Sequence, residues 1–233
     1  MKREKLKLLM ALLVLAAAWI LSREVAVPVS QMHVLNPRKT GEFCVVIDPG
    51  HGGGDPGKVS DDGILEKDVN LAIALRLKNL LEAQGVTVRM TRDSDEGLYN
   101  SGSSEKKTED LRNRCEMINR LQPDCVVSVH QNSYHKSGVD GAQTFYYAES
   151  EEGRILSELI QKSLVARLDP ANHREAKRND SYFMLKNTTV PMVIVECGFL
   201  SDPREAALLV MPDYQEKAAW AIHMGIIHYL NKI

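Results

Sequence analysis

The sequence predicts an α/β domain, a mostly parallel, twisted sheet of about six strands flanked by helices. Three observations lead there. Phe43–Ile47, Cys125–Val129 and Met192–Val195 are short, almost wholly apolar runs rich in valine, as strands covered on both faces are. Helix-type periodicity separates the first two, and turn residues punctuate the boundaries. Strand and helix signals then alternate to the C-terminus, the order that builds parallel sheets from β-α-β units.

Taken in order, the first strand ends near Asp48 and a loop rich in Gly and Asp runs to about Leu65. Val69, Ala72, Ile73, Leu75, Leu77, Leu80 and Leu81 then recur at helical spacing until Gly85 stops the helix. Val86–Thr91 alternates like a strand with one wet face, and Asp93–Lys107 reads as a polar loop. A second helix over Glu109–Leu121 carries Leu111, Cys115, Ile118 and Leu121 on one face, before Pro123-Asp124 resets the chain into the next strand. Ala142–Ala148 reads as a strand, Ile155–Leu168 as a helix and Tyr182–Leu185 as a short strand. The strand that reaches Glu196 follows Pro191, and helices over Arg204–Val210 and Tyr214–Leu230 close the domain.

The chain has 233 residues, 44% hydrophobic and 26% charged, ordinary values for one domain with a short extension. A net charge of -2 without a basic stripe argues against nucleic-acid binding. At the N-terminus Lys2, Arg3, Lys5 and Lys7 precede an apolar run, Leu8–Leu21. That run fits the roughly 7–15 residues of a secretory signal better than the roughly 17–25 of a spanning helix. Residues 1–23 are therefore read as a signal peptide or a retained signal-anchor, 24–42 as a linker and 43–233 as the folded domain. Export follows, with membrane contact only through an uncleaved leader. Cys44, Cys115, Cys125 and Cys197 lack C-x-x-C spacing and are too few for a disulfide scaffold.

The strand-like runs end on chemistry. The first leads through Asp48-Pro49-Gly50 to His51, the second stops on His130, the third on Glu196, and Glu66 opens the first helix fifteen positions after His51. Open α/β sheets place reactive groups at the carboxyl ends of strands. Two histidines and a carboxylate form a zinc set, and a further carboxylate is the base such a set needs. Singly, each has a plainer reading: a hydrogen-bonded histidine, or an acid favoured by a helix N-terminus. Glu196 resists that treatment, because an unpartnered carboxylate in a buried run is costly. Gly52–Lys58 mimics the G-x-x-x-x-G-K of a phosphate loop, but Val59 replaces the hydroxyl residue and no helix starts there. His223 and His228 are five apart and miss the helical metal-pair spacing. Cys197 offers a thiol beside Glu196, but strand alternation points it the other way.

Together Val46-Ile47-Asp48-Pro49-Gly50-His51-Gly52-Gly53, Glu66-Lys67-Asp68-Val69-Asn70, Ser128-Val129-His130-Gln131-Asn132 and Val195-Glu196-Cys197-Gly198-Phe199-Leu200-Ser201 resemble the zinc-dependent N-acetylmuramoyl-L-alanine amidases of the type 3 family, in order and over essentially the whole domain. Leu111 and Arg114 also fall where that family has them. The resemblance implies zinc held by His51, Glu66 and His130, with Glu196 as the catalytic carboxylate. It implies peptidoglycan as substrate and a site outside the cytoplasm. The stretch 172–187 and Gln131 look most like the branch acting on spore cortex, where the reaction prepares muramic acid for the lactam read during germination. Gln131 replaces a small residue and is expected to touch the cleft but not the ligands. No inserted plug helix is evident between His130 and Glu196, and a separate activating protein is a natural form of control. Asp48 is expected either to orient a ligand histidine or to cap its turn. A catalytically silent wall-binding module and a cysteine-type wall peptidase using Cys197 are the competing readings.

Overall fold

The three apolar runs form the middle of a six-stranded sheet. In the computed structural model, which describes residues 43–136 and 138–232 together with Lys7 and Met10, the strands are β1 (Cys44–Pro49), β2 (Thr87–Met90), β3 (Cys125–Asn132), β4 (Gln143–Tyr146), β5 (Lys177–Arg178) and β6 (Met192–Phe199). Their order is β2-β1-β3-β6-β4-β5. β2, β1, β3 and β6 run parallel, whereas β4 pairs antiparallel with β6 and parallel with β5. Apart from Lys7 and Met10, the leader and linker lie outside the described residues, among which no helix is long and apolar enough to cross a membrane.

The helices are α1 (Glu66–Ala83), α2 (Lys106–Leu121), α3 (Glu151–Arg167), α4 (Phe183–Asn187), α5 (Pro203–Leu209) and α6 (Pro212–Leu230). α1 buries Val69, Ile73, Ala74, Leu77 and Leu81 along one stripe. It ends where Gly85 turns left-handed (φ 78°) and the Gly85 and Val86 amides donate back to Glu82 and Leu81, a Schellman stop. α3 starts four residues before its apolar pattern does, because the Ser150 hydroxyl caps the Gly153 amide. α2 likewise begins at Lys106 rather than Glu109.

One expected strand is not formed. Tyr182–Leu185 enters helix α4 instead of forming a strand, and the edge strand is the exposed pair Lys177–Arg178. A run that short has no decisive period, and Met184 and Leu185 are buried side by side as either state would allow. Both β3 and β6 also continue past their functional residues, to Asn132 and Phe199, with a register shift between His130 and Asn132.

Alternation along the central strands sorts the side chains onto two faces. Val45, Ile47, Cys125, Val127, Val129, Val193, Val195 and Cys197 join the larger core with residues of α1, α3 and α6. Val46, Val126, Met192 and Ile194 join a smaller core with Cys115 and Ile118 of α2 and Met184 and Leu185 of α4. Continuing that second parity towards the strand ends gives Asp48, Ser128, His130 and Glu196. The polar residues thus share one face, at the carboxyl end.

Asp48 neither binds a histidine nor caps the turn. It is fully buried and pairs with buried Arg114 of α2 (Nη1–Oδ1 2.7 Å), while the Ser128 and Thr91 hydroxyls donate to its oxygens at 2.6 Å each. Burial pushes the Asp48 carboxyl up, but the Arg114 charge and these hydrogen bonds outweigh it and hold it at about 2. Arg114→Met leaves that charge unpaired and is expected to cost about 3–5 kcal/mol in urea unfolding at neutral pH. Because the folded carboxyl lies below its ordinary 3.8, its contribution is complete above that value and fades as pH falls through about 2. Unfolding of the wild type at a series of acidic pH values should show the loss, and Arg114→Met should lack it.

Candidate active site

The segment after β1 is held by its carbonyls. Arg92 donates to Pro49 O and Gly50 O at 3.0 Å each, and Arg114 donates to Pro49 O (2.9 Å) and His51 O (2.7 Å). This clamp supports His51 in a left-handed conformation (φ 62°), which ordinary side chains avoid. Gly50 is required for a different reason. A Cβ there would lie 2.1 Å from the His130 ring.

His51, Glu66 and His130 converge. One donor atom from each lies within 4.8 Å of the other two. Glu66 Oε2 is 3.2 Å from His51 Nε2, and Glu66 Oε1 is 2.9 Å from His130 Nδ1. Two ligands about 2.1 Å from one ion at a tetrahedral angle stand about 3.4 Å apart, and each histidine lies about that far from one of the two Glu66 oxygens, a cluster in which a small divalent cation could be held. Glu66 is the first residue of α1 and is fixed by amides as well, from Lys58 (2.7 Å) and Gln131 (3.1 Å). Burial would raise its carboxyl, but the two imidazoles dominate and drive it far below the usual carboxylate range. The Gln131 side chain lines the cleft without meeting these three residues, as expected, and only its backbone amide, which any residue there would supply, reaches Glu66. The Gln131 side-chain amide donates to Asn70, which reaches both Gly50 O and Glu66.

Asp55 is the residue that sequence reasoning missed. Its Oδ2 lies 2.8 Å from His51 Nδ1, leaving Nε2 facing Glu66. A carboxylate on the far ring nitrogen fixes the tautomer and orientation of a ligand histidine. Burial lowers the affinity of His51 for a proton, yet Glu66 and then Asp55 reverse this and raise it to about 9 without a metal. The signal available in the sequence was an aspartate four residues after a histidine, inside a glycine-rich turn.

Glu196 stands beside His130, its register partner across β3 and β6. It is 7% exposed and its Oε2 has no hydrogen-bond partner among the described residues. Burial raises its carboxyl to about 7, against the pull of His130 and His51 and with help from Glu66. All four residues line one cleft of about 380 Å³, walled by Leu111, Ile194 and Met184 and bordered by Tyr182 and Phe183. Donor chemistry, donor spacing and an orphaned carboxylate together fit a catalytic metal set with an adjacent base. Cys197 points into the opposite core with no exposure, and burial pushes its thiol far up. His223 is buried in α6, away from the cleft lining, and neutral, lowered to about 4 by burial.

Comparison with known proteins shows what the chain as a whole is similar to. A family profile described as N-acetylmuramoyl-L-alanine amidase matches residues 45–228. The chain is 40% identical over 191 residues to the germination-specific N-acetylmuramoyl-L-alanine amidase of Bacillus subtilis, covering 81% of this chain and 80% of that protein. The CwlD amidase of Clostridioides difficile, solved in complex with the GerS lipoprotein, is similar with a TM-score of 0.80 and 41% identity, over 82% of this chain and 100% of that one. AmiC2, an N-acetylmuramoyl-L-alanine amidase of Nostoc punctiforme, is similar with a TM-score of 0.72 and 32% identity, over 82% and 99% of the two chains.

The four cysteines are free, and only Cys44 is partly exposed. In native protein, iodoacetamide should label Cys44 first and leave Cys125 and Cys197 unmodified, as read by peptide mass spectrometry. Rapid labelling of Cys197 with loss of activity would restore the thiol reading.

Proposed function

The chain belongs to the N-acetylmuramoyl-L-alanine amidase family, and from that premise we propose that it is a zinc enzyme of spore cortex, with His51, Glu66 and His130 as ligands and Glu196 as general base and acid. The bond cleaved joins the lactyl group of N-acetylmuramic acid to the L-alanine of the stem peptide. One observation supports the assignment above the rest: a buried carboxylate with an unpartnered oxygen shares a cleft with a three-donor set.

Zinc bound there supplies Lewis acidity, lowering the pKa of water to about 7 and polarising the carbonyl. The protein's own groups do the rest. Asp55 holds His51 in the tautomer that presents Nε2 to the ligand site, and Glu66 keeps both histidines within reach. Glu196 takes a proton from the attacking water and returns it to the departing α-amino group of L-alanine. A carboxyl raised towards neutrality suits both tasks, since it accepts and releases a proton at little cost near working pH. The apolar wall of Leu111, Ile194 and Met184 limits water around the reacting amide.

The cortex role rests on the likeness to the germination-specific amidase and to CwlD. Hydrolysis leaves a muramic acid with a free lactyl carboxyl, the group that later closes to muramic lactam. Such a substrate lies outside the cytoplasm, consistent with the exported leader read over residues 1–23. An activating protein partner is part of the proposal, because the similar CwlD was solved with a lipoprotein bound.

Glu196→Gln should retain metal and fold but release new L-alanine amino termini from purified peptidoglycan at least about 100-fold more slowly. Metal content and turnover measured together check this, and near-normal turnover would remove Glu196 from its role. Chelation should abolish activity and zinc should restore it. The base must be ionised, so kcat/KM should rise with pH through the Glu196 carboxyl. A cation beside it stabilises the ionised form, so the acid limb of the metal-loaded enzyme should fall below about 7 and above the ordinary 4.5.

A further inference from the structure

Two cations border the cleft without a task in the chemistry. Lys58, the residue that ends the false phosphate-loop motif, and Lys107, in the first turn of α2, both line it and both are exposed. Lys107 also borders the adjoining hollow formed by His51, Asp55, Asp110 and Leu111. Among the described residues neither ammonium has an ion-pair or hydrogen-bond partner. The contrast with other cations near this loop is sharp. Lys67 bonds Asp95 and Gly53 O, Arg92 bonds four carbonyls, and Arg114 bonds Asp48 and Asp110. Asp55, whose carboxylate feels the charge of Lys107, is already committed to His51 and the Gly57 amide. Lys58 is anchored at its root, since its own amide donates to Glu66, so its side chain starts beside the ligand set.

Resting on the amidase reading, we propose that Lys58 and Lys107 form an anion subsite that receives the free carboxylate of the stem-peptide residue following L-alanine. The scissile amide must sit over Glu196 and the three ligands, so the peptide leaves across the rim of the same cleft. The lactyl-bearing sugar side of that bond is neutral, whereas a γ-linked D-glutamate in second position carries a free α-carboxylate a few bonds from the cleaved nitrogen. Lysine suits this duty. It is a point charge on a flexible stem that follows a carboxylate without needing a fixed fork geometry. Each exposed contact is weak, so the subsite should act as a selector between acid and amide forms of the peptide and not as the main source of affinity.

The test compares peptidoglycan fragments of equal glycan length that carry D-glutamate or D-isoglutamine in second position, which differ only in carboxylate against carboxamide. Binding is measured by calorimetry with the full-length, zinc-loaded Glu196→Gln protein, so that it does not depend on turnover. The acid fragment should bind about tenfold more tightly at low salt, with the preference shrinking as salt is added. Lys58→Gln and Lys107→Gln should each reduce the preference about threefold, the double variant should abolish it, and Lys→Arg at both positions should retain it. Equal binding of the two fragments, or a preference that survives in the double variant, overturns the subsite. Turnover by the wild type is followed in parallel. If no alanine amino termini appear while the acid preference holds, the amidase reading fails and the anion subsite stands.

Discussion

The buried pair of Asp48 and Arg114 sets the geometry on which the site depends. Two charges removed from water rarely add stability over apolar packing, so the pair is better understood by what else the guanidinium holds. Arg114 spends its remaining donors on Asp110, on Pro49 O and on His51 O. Arg92 takes Pro49 O and Gly50 O from the other side. Three successive carbonyls, from the last residue of β1 onward, are therefore fixed by two arginines. A left-handed histidine costs about 1–2 kcal/mol, and such strain persists only where surrounding bonds over-determine it. Here they do, and the result is an imidazole placed at the crevice between β1 and β3, where the chain's course across the sheet reverses.

Glu66 joins the two halves of the site. Its position as first residue of α1 sets a carboxylate at the positive end of an 18-residue helix. Its two oxygens face different histidines, one delivered by the loop after β1 and the other by the end of β3. Gly57 makes the approach feasible, since a Cβ there would come within 2.5 Å of Glu66 Oε2 and 2.7 Å of His51 Cδ2, at a left-handed φ of 68°. The loop between β1 and α1 is thus shaped around the His51 and Glu66 side chains, with small residues where they pass and an aspartate at the far ring nitrogen of His51.

How much of this could be read from sequence follows from the range of each interaction. The runs ending at His51, His130 and Glu196 were legible because strand composition and strand parity are local, and parity alone separates Glu196 from Cys197. α1 and its stop at Gly85 were legible for the same reason. β5 was not, because two exposed basic residues carry no apolar signal and their pairing with Phe145 and Tyr146 is purely tertiary. Arg114 could be matched to a family position, but its work could not be derived, since Asp48, Pro49 and His51, which it holds, stand 63 to 66 residues away. The amide that Gln131 lends to Glu66 is a backbone contact, which no residue type announces. Asp55 was within reach, four residues from His51, and was passed over as a loop acid.

The site's two glutamates show how one cavity assigns different work to the same functional group. Glu66 and Glu196 are both buried, 4% and 7% exposed, and burial raises both carboxyls. Glu66 meets two imidazoles and two amides and accordingly stays ionised, which a cation ligand must do. Glu196 is given none of these partners, and its closest charged neighbours leave it near 7. Environments that push two titratable groups apart mark one of them for acid-base work, which is the support for the role proposed for Glu196. Moving one hydrogen-bond donor to Glu196 would stabilise its ionised form and weaken it as a base, so its missing partner is as necessary to the chemistry as the crowded shell of Glu66.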